Sequence, residues 1–258
     1  MNKLISAAVT AAVVACGVAV AAQAVSAEEV TLVAPGGFRC PLDKMKAGYE
    51  SKTGNTLKAT IGSGGGTHKQ VVAGAAFDVP VVQPPYEDVI DSGNVVTSSE
   101  TPLATVAIVV VVKKGAPKPD ISSADAVKKL LLNAKALSYP DGAGGNGGAA
   151  GVSFDNTQKQ LGIYDQVQPK VKRVQGKPLL KLLTDGDIGV AITFSSEVND
   201  PGVDVVGPLP RSISTPTALV GFVSSHTQHP EAAKALLAYL SGADAAAAYR
   251  ACAMTPGK

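Results

Sequence analysis

The stretch Lys58–Val72, KATIGSGGGTHKQVV, decides the fold: an apolar alternating run (LKATIG) passes through a serine and three glycines into a run with helical character (HKQVVAG). A strand that turns on glycines directly into a helix is half of a β-α-β unit. Outward from it the same grammar repeats. EVTLVA (29–34) reads as a strand, PGGFRCP as a loop, and LDKMKAGYESKTG (42–54) as a helix with Leu42, Met45 and Tyr49 on one face and Gly54 as its stop. FDVPVVQ is a third strand, followed by a turn and short helix at PPYEDVIDSGNV. LATVAIVVVVKKG reads as one long buried strand, and APKPDISSADAVKKLLLNAK as a turn and a helix capped by Ser122 or Ser123. ALSYPD, GAGGNGGAAG and VSFDNTQKQLG give strand, glycine loop and helix; KVKRVQ, GKPLLKLLTDG and IGVAITFSSEV give strand, helix, strand. The proline-rich VNDPGVDVVGPLPRSISTPT (198–217) reads as a returning connection. A strand, ALVGFVSS, and two helices complete the tail. The expected fold is α/β, with two lobes, each a mixed, mostly parallel sheet flanked by helices, and a cleft between them.

Composition narrows the function. Of the 258 residues, 45% are hydrophobic and 17% charged, which describes a globular chain. There is no Trp, aromatics are 4%, and the formal charge is +2, so neither base stacking nor polyanion attraction favours a nucleic-acid partner. The first 27 residues combine Lys3, an apolar run from Leu4 to Ala22 and a small-residue site at VSA, the pattern of a cleaved export signal. A lipoprotein cut before Cys16 is the minor alternative, weakened by the apolar GVAVAA that follows. The location expected is the periplasm. There Cys40 and Cys252 either pair or stay as two free thiols; spacing alone does not choose. The expected partition is a first lobe of residues 28–104 plus 207–258 and a second lobe of 105–206. Nothing points to oligomerisation, a cofactor or a metal; His226 and His229 read as a solvated turn.

Motif tests exclude the familiar glycine-loop enzymes. A P-loop or dinucleotide fingerprint counted from Gly62 meets Thr67 where a glycine belongs, and a nucleophile elbow meets Ile61. What remains is the underlying physics. Helix N-termini carry unpaired N–H groups and partial positive charge, and glycines admit an anion to the backbone. Three loops share this design: Gly36, Gly37, Phe38 and Arg39; Ser63, Gly64, Gly65, Thr67 and His68; and Gly144, Gly145 and Asn146. One such loop alone reads as a tight turn; three at strand ends read as an anion cleft. Arg39 is the candidate carboxylate clamp, competing with a solvated charge. His68 is a donor or proton shuttle, competing with an exposed cap. Lys170, Lys172, Arg173, Lys177 and Lys181 read as a wetted basic face.

YESKTGNTLKATIGSGGGTHKQVVAGAAFDVPVV (49–82), LLTDGDIGVAI (182–192) and HPEAAKALLAYLSG (229–242) together resemble periplasmic solute-binding proteins of the molybdate-binding type. The resemblance implies a type II two-lobe fold, an exported monomer, a small oxyanion or carboxylate guest, and an ABC-type permease as partner. Ser63 matches that family's oxyanion-donating serine. Its first-loop serine is absent here, and its second-lobe tyrosine falls at Phe194, beside Ser195. The segment 115–145 is similar to a branch that includes aconitate isomerases, which move a proton along a tricarboxylate. On that reading His68 and Asp141 are the acid–base candidates, although a serine-rich loop usual in those enzymes is replaced by glycines.

Overall fold

The computed structural model describes residues 27–142, 148–172 and 178–257. The leader expected over residues 1–27 lies outside these apart from Ala27, as do Gly144, Gly145, Asn146, Arg173 and Lys177. No described helix is long and apolar enough to cross a membrane.

The first half alternates β1 (Glu29–Pro35), α1 (Arg39–Thr53), β2 (Thr56–Gly62), α2 (Gly64–Val72), β3 (Val79–Val82), α3 (Glu87–Asp91) and β4 (Val95–Val106). Then come β5 (Ile108–Lys113), α4 (Ala124–Asn133), β6 (Leu137–Ser138), α5 (Ala149–Gln160), α6 (Tyr164–Val167), α7 (Leu179–Thr184), β7 (Val190–Phe194) and β8 (Val203–Pro208). The chain ends with β9 (Thr217–Ser224), α8 (Pro230–Leu240), α9 (Ala243–Ala251) and β10 (Met254–Pro256). Local chemistry sets these boundaries. Gly54 closes α1 at φ 76°, a left-handed angle that costs a glycine nothing. Of the two candidate caps for α4, Ser123 is the one used, accepting from Ala126 N.

The strands form two sheets, ordered β10-β4-β9-β3-β1-β2 and β6-β7-β5-β8. Both are mixed, as expected, but the parallel share is smaller than the alternation implies. β1 pairs in parallel with β2 and β3, and β6 with β7, whereas every pair involving β4, β5, β8, β9 or β10 is antiparallel. The reason is the crossing between lobes. The apolar run read as one strand breaks at Ala107 into β4 of the first sheet and β5 of the second. The return from β8 to β9 runs beside it. Val106 pairs with Thr217 on one side, and Leu209 N donates to Ile108 O at 3.0 Å on the other. Two antiparallel segments therefore join the lobes as a ribbon.

Two strands escaped the sequence reading. β8 lies inside the proline-rich stretch taken for a connection; it is the edge of its sheet, where Pro208 removes no needed ladder bond. β10 is only three residues long and follows the last helix. Of the strand expected at KVKRVQ (170–175), residues 173–175 lie outside the described residues; Val171 forms a bridge to Leu137 after a 3-10 turn at Gln168–Lys170.

One continuous apolar core runs from Leu32, Tyr49 and Leu236 in the first lobe to Phe154, Ile192 and Phe194 in the second. Cys40 and Cys252 are joined by a disulfide, Cα atoms 5.9 Å apart and 212 residues apart in sequence. It fastens the start of α1 to the end of α9. Closing so long a loop removes much entropy from the unfolded chain. Replacing both cysteines by serine is expected to lower the unfolding free energy by about 2–5 kcal/mol, read from urea melts of the oxidised wild type against the double variant.

Candidate functional site: the seam between the lobes

β1 and β2 run parallel with Pro35 opposite Gly62, so the loops that leave them emerge side by side. Ser63, extended at φ −72° and ψ 156°, caps α2 by accepting from Gly66 N at 3.0 Å. From the second lobe come the start of α5, after β6, and a 3-10 turn at Ser195–Glu197, after β7. These loop ends meet without side chains to hold them apart. A Cβ at Gly64 would lie 3.1 Å from Ala149 Cβ and 2.8 Å from Gln83 Oε1. One at Gly37 would lie 3.4 Å from the Phe194 ring, and one at Gly36 would lie 3.5 Å from Glu197 Oε1. Gly64 thus leaves no room for a side chain where the lobes meet, whereas a Cβ at Gly36 or Gly37 would make ordinary contacts.

A cavity of about 650 Å³ opens along this seam. Gly64, Gly65, His68 and Gln83 line it from the first lobe, Val152, Ser153 and Asn156 from the second, and Thr215–Ala218 from the returning crossing. Its described wall carries no Lys or Arg. The positive potential comes from backbone instead. α2 begins at Gly64 and α5 at Ala149, so two helix N-termini from opposite lobes face one another. Their first N–H groups have no intrahelical acceptor, and their partial charges repel unless an anion shares them.

Three buried side chains sharpen this picture. Thr67 Oγ1, both amide atoms of Gln83, and Ser196 Oγ have no hydrogen-bond partner among the described residues, at 1%, 8% and 7% residue exposure. Each lies against the seam glycines: Thr67 Oγ1 beside Gly62, Gln83 beside Gly64, Ser196 beside Gly37. Orphaned buried polar atoms are rare because each costs about 1–3 kcal/mol. Of the three, Gln83 also lines the cavity, and unpartnered atoms of this kind can bond polar ligand atoms.

Two ionisable groups stand here as well. His68 Nε2 lies 2.7 Å from both carboxylate oxygens of Asp88, and that hydrogen bond holds Asp88 below the ordinary carboxylate range. Glu197 accepts from Thr193 Oγ1, and burial pushes its carboxyl above the ordinary range.

The expected site residues divide. Gly36, Gly37, Ser63, Gly64, Gly65, Thr67 and His68 gather at or beside the seam. Phe38 is a core residue against Tyr249, ring centroids 6.1 Å apart. Arg39 is exposed at the first position of α1 and does not line the cavity. Phe194 is buried, and Ser195 turns away to donate to Ala253 O at 2.6 Å. Asp141 is exposed; its carbonyl accepts from Gly148 N at 2.8 Å, and only its neighbour Gly142 lines the cavity. Away from the seam, His226 Nε2 sits 2.8 Å from Asn94 Oδ1, and His229 Nδ1 is 3.3 Å from Glu28 Oε2. Among the described residues no three His, Cys, Asp or Glu side chains are grouped to hold a metal. The sequence reading missed Gln83, Asn156, Ser196 and Glu197. Gln83 had a signal, a polar side chain ending a buried strand at the same sheet edge as the glycine loops; Ser196 and Glu197 had none beyond their place next to Phe194.

Comparison with known proteins agrees with this architecture. The profile of a family described as bacterial extracellular solute-binding proteins matches residues 30–252. An aconitate isomerase from a Pseudomonas species is 30% identical over 234 residues, spanning 88% of this chain and 87% of that protein. Among solved structures, the substrate-binding domain of a putative molybdenum ABC transporter from Clostridium difficile superposes with a TM-score of 0.72 at 17% identity, covering 90% of this chain and all of that one. The periplasmic molybdate-binding protein of Azotobacter vinelandii gives 0.70 at 15% identity, covering 89% and 100%. At those identities the structures speak for the fold alone, which is the two-lobe binding-protein fold. The profile match spans most of the chain, and the chain belongs to the family of bacterial extracellular solute-binding proteins.

Proposed function

We propose that this protein captures a small organic carboxylate in the seam between its lobes and, from the periplasm, delivers it to an ABC-type importer. The observation that carries the reading is the set of orphaned donors at Thr67, Gln83 and Ser196 beside two opposed helix N-termini. Neutral donors and backbone dipoles stabilise a carboxylate without a cation. A bare tetraoxyanion would leave most of an approximately 650 Å³ cavity unfilled, and Pro84, Pro85, Val152 and Pro216 offer apolar surface to a carbon skeleton. Family membership supports solute binding, and structural neighbours named for transporters support the importer. The Cys40–Cys252 bond supports an oxidising compartment.

A second reading, isomerisation of aconitate, is favoured by His68 on the cavity wall with Asp88 fixing its ring, and by the Pseudomonas relative. In that chemistry His68 takes a proton from the methylene carbon. The electron pair shifts across the allylic carbons, and the proton returns at the former vinylic carbon, so no co-reactant is needed. Carriage requires no titrating side chain in the cavity.

Thermal melts with molybdate, sulfate, citrate and trans-aconitate test the capture. Stabilisation by a carboxylate is expected, about 2.7 kcal/mol at a hundred times its dissociation constant; stabilisation by molybdate alone overturns it. Gln83→Leu is expected to have opposite effects in two measurements. The unliganded protein melts at the same temperature or higher, because an unsatisfied amide is gone, while carboxylate affinity in calorimetry drops roughly ten-fold. Incubation with cis-aconitate, followed by chromatography, separates the two readings. Turnover that His68→Gln abolishes while leaving binding in place makes the protein an enzyme; binding without any trans product makes it a carrier.

A further inference from the structure

Glu197 is the carboxylate that the capture chemistry leaves unexplained. It comes from the second lobe, in the 3-10 turn after β7, and its Oε1 stands beside Gly36 of the first lobe. The same position at Gly36 is 3.7 Å from Gly62 O, immediately before the Ser63 cap. The next residue back, Ser196, contributes one of the three orphaned donors. A half-buried carboxyl therefore sits where the lobes join, beside the orphaned Ser196 and on the lining of a smaller neighbouring cavity.

Among the described residues no salt bridge reaches it. Gly36, which faces it from the first lobe, carries no side chain, and the hydrogen bonds it accepts come from Thr193 Oγ1 and the Phe194 backbone. Behind it, a smaller cavity brings Lys181 and Asp200 to its surroundings. Lys181 is paired with Asp185 at 2.6 Å, and Asp200 accepts from Gly202 N at 2.7 Å. His68, across the seam, is committed to Asp88. An ionised Glu197 and an anionic guest bound beside Ser196 are like charges, and neutralising one of them relieves the repulsion.

We infer that Glu197 couples capture to protons: the seam closes over its anionic guest with this carboxyl protonated, so binding takes up a proton at Glu197. The inference rests on the anion-capture reading above. The guest keeps its charge at the α2 and α5 N-termini, and Glu197 becomes a neutral hydrogen-bonding group. Burial already favours its protonated form before any guest arrives. The sign follows from linkage. Below the unliganded pKa the proton is in place and affinity is level. As pH rises past it, each binding event must import a proton, and affinity falls.

Calorimetry with trans-aconitate and with sulfate, on wild type, Glu197→Gln and Glu197→Met, tests this. Both variants are neutral and close in volume, and circular dichroism checks that each folds. Above the ordinary carboxylate range the wild type is expected to lose affinity relative to the variants, by up to about ten-fold per pH unit. Titrations in two buffers of different ionisation heat should count more protons taken up by the wild type. The titration of the anion itself is common to all three proteins and cancels. Parallel pH profiles with equal proton counts overturn the role of Glu197 and leave anion capture standing. No binding of either anion to any of the three, at any pH, overturns both.

Discussion

The double crossing between the sheets is the constraint on which everything else depends. Because β4 pairs with β9 and β5 with β8, the two passages between lobes run antiparallel and adjacent. That pairing decides which loops meet. It sets Gly64 against Ala149, and Gly36 and Gly37 against Glu197, Ser196 and Phe194. Remove the ribbon and the same loops remain at the ends of their strands, with no reason to share a guest.

The electrostatics of the seam are made of small parts. On the proposed reading, attraction for an anion comes from helix ends and from hydroxyl and amide donors, while the ionisable side chains described nearby include a histidine tied to Asp88 and a half-buried glutamate. A site whose described wall holds no Lys or Arg discriminates by geometry and hydrogen bonding more than by charge. The same economy suits a carrier, which must release what it binds. It also leaves room for a single base to act on a carbon acid, which is why one scaffold supports both readings.

Much of this was legible in the amino-acid order, for physical reasons that are local. The alternation around Lys58–Val72 gave a strand, a glycine turn and a helix because period and turn chemistry are encoded within a few residues. A serine cap at Ser122 or Ser123 and Gly54 as a stop are of the same kind. The break at Ala107 was not legible, since both halves of the apolar run are buried and only the sheet they join differs. Neither was the distinction between Ser195, bonded to Ala253, and Ser196, bonded to nothing described. Being unpartnered is a property of the neighbours. Arg39 shows the reverse: its chemistry suited a clamp, and its position at the outer start of α1 leaves it in solvent.

The first sheet is discontinuous in the chain: β9, near its centre, and Cys252, the partner of Cys40, both follow the whole of the second sheet. A ribosome delivers the second lobe complete while the first still lacks a middle strand and half of its covalent clasp. Order of birth and order of completion are therefore inverted. The half that starts first finishes last, and an unfinished sheet keeps an open strand edge until the final stretch emerges.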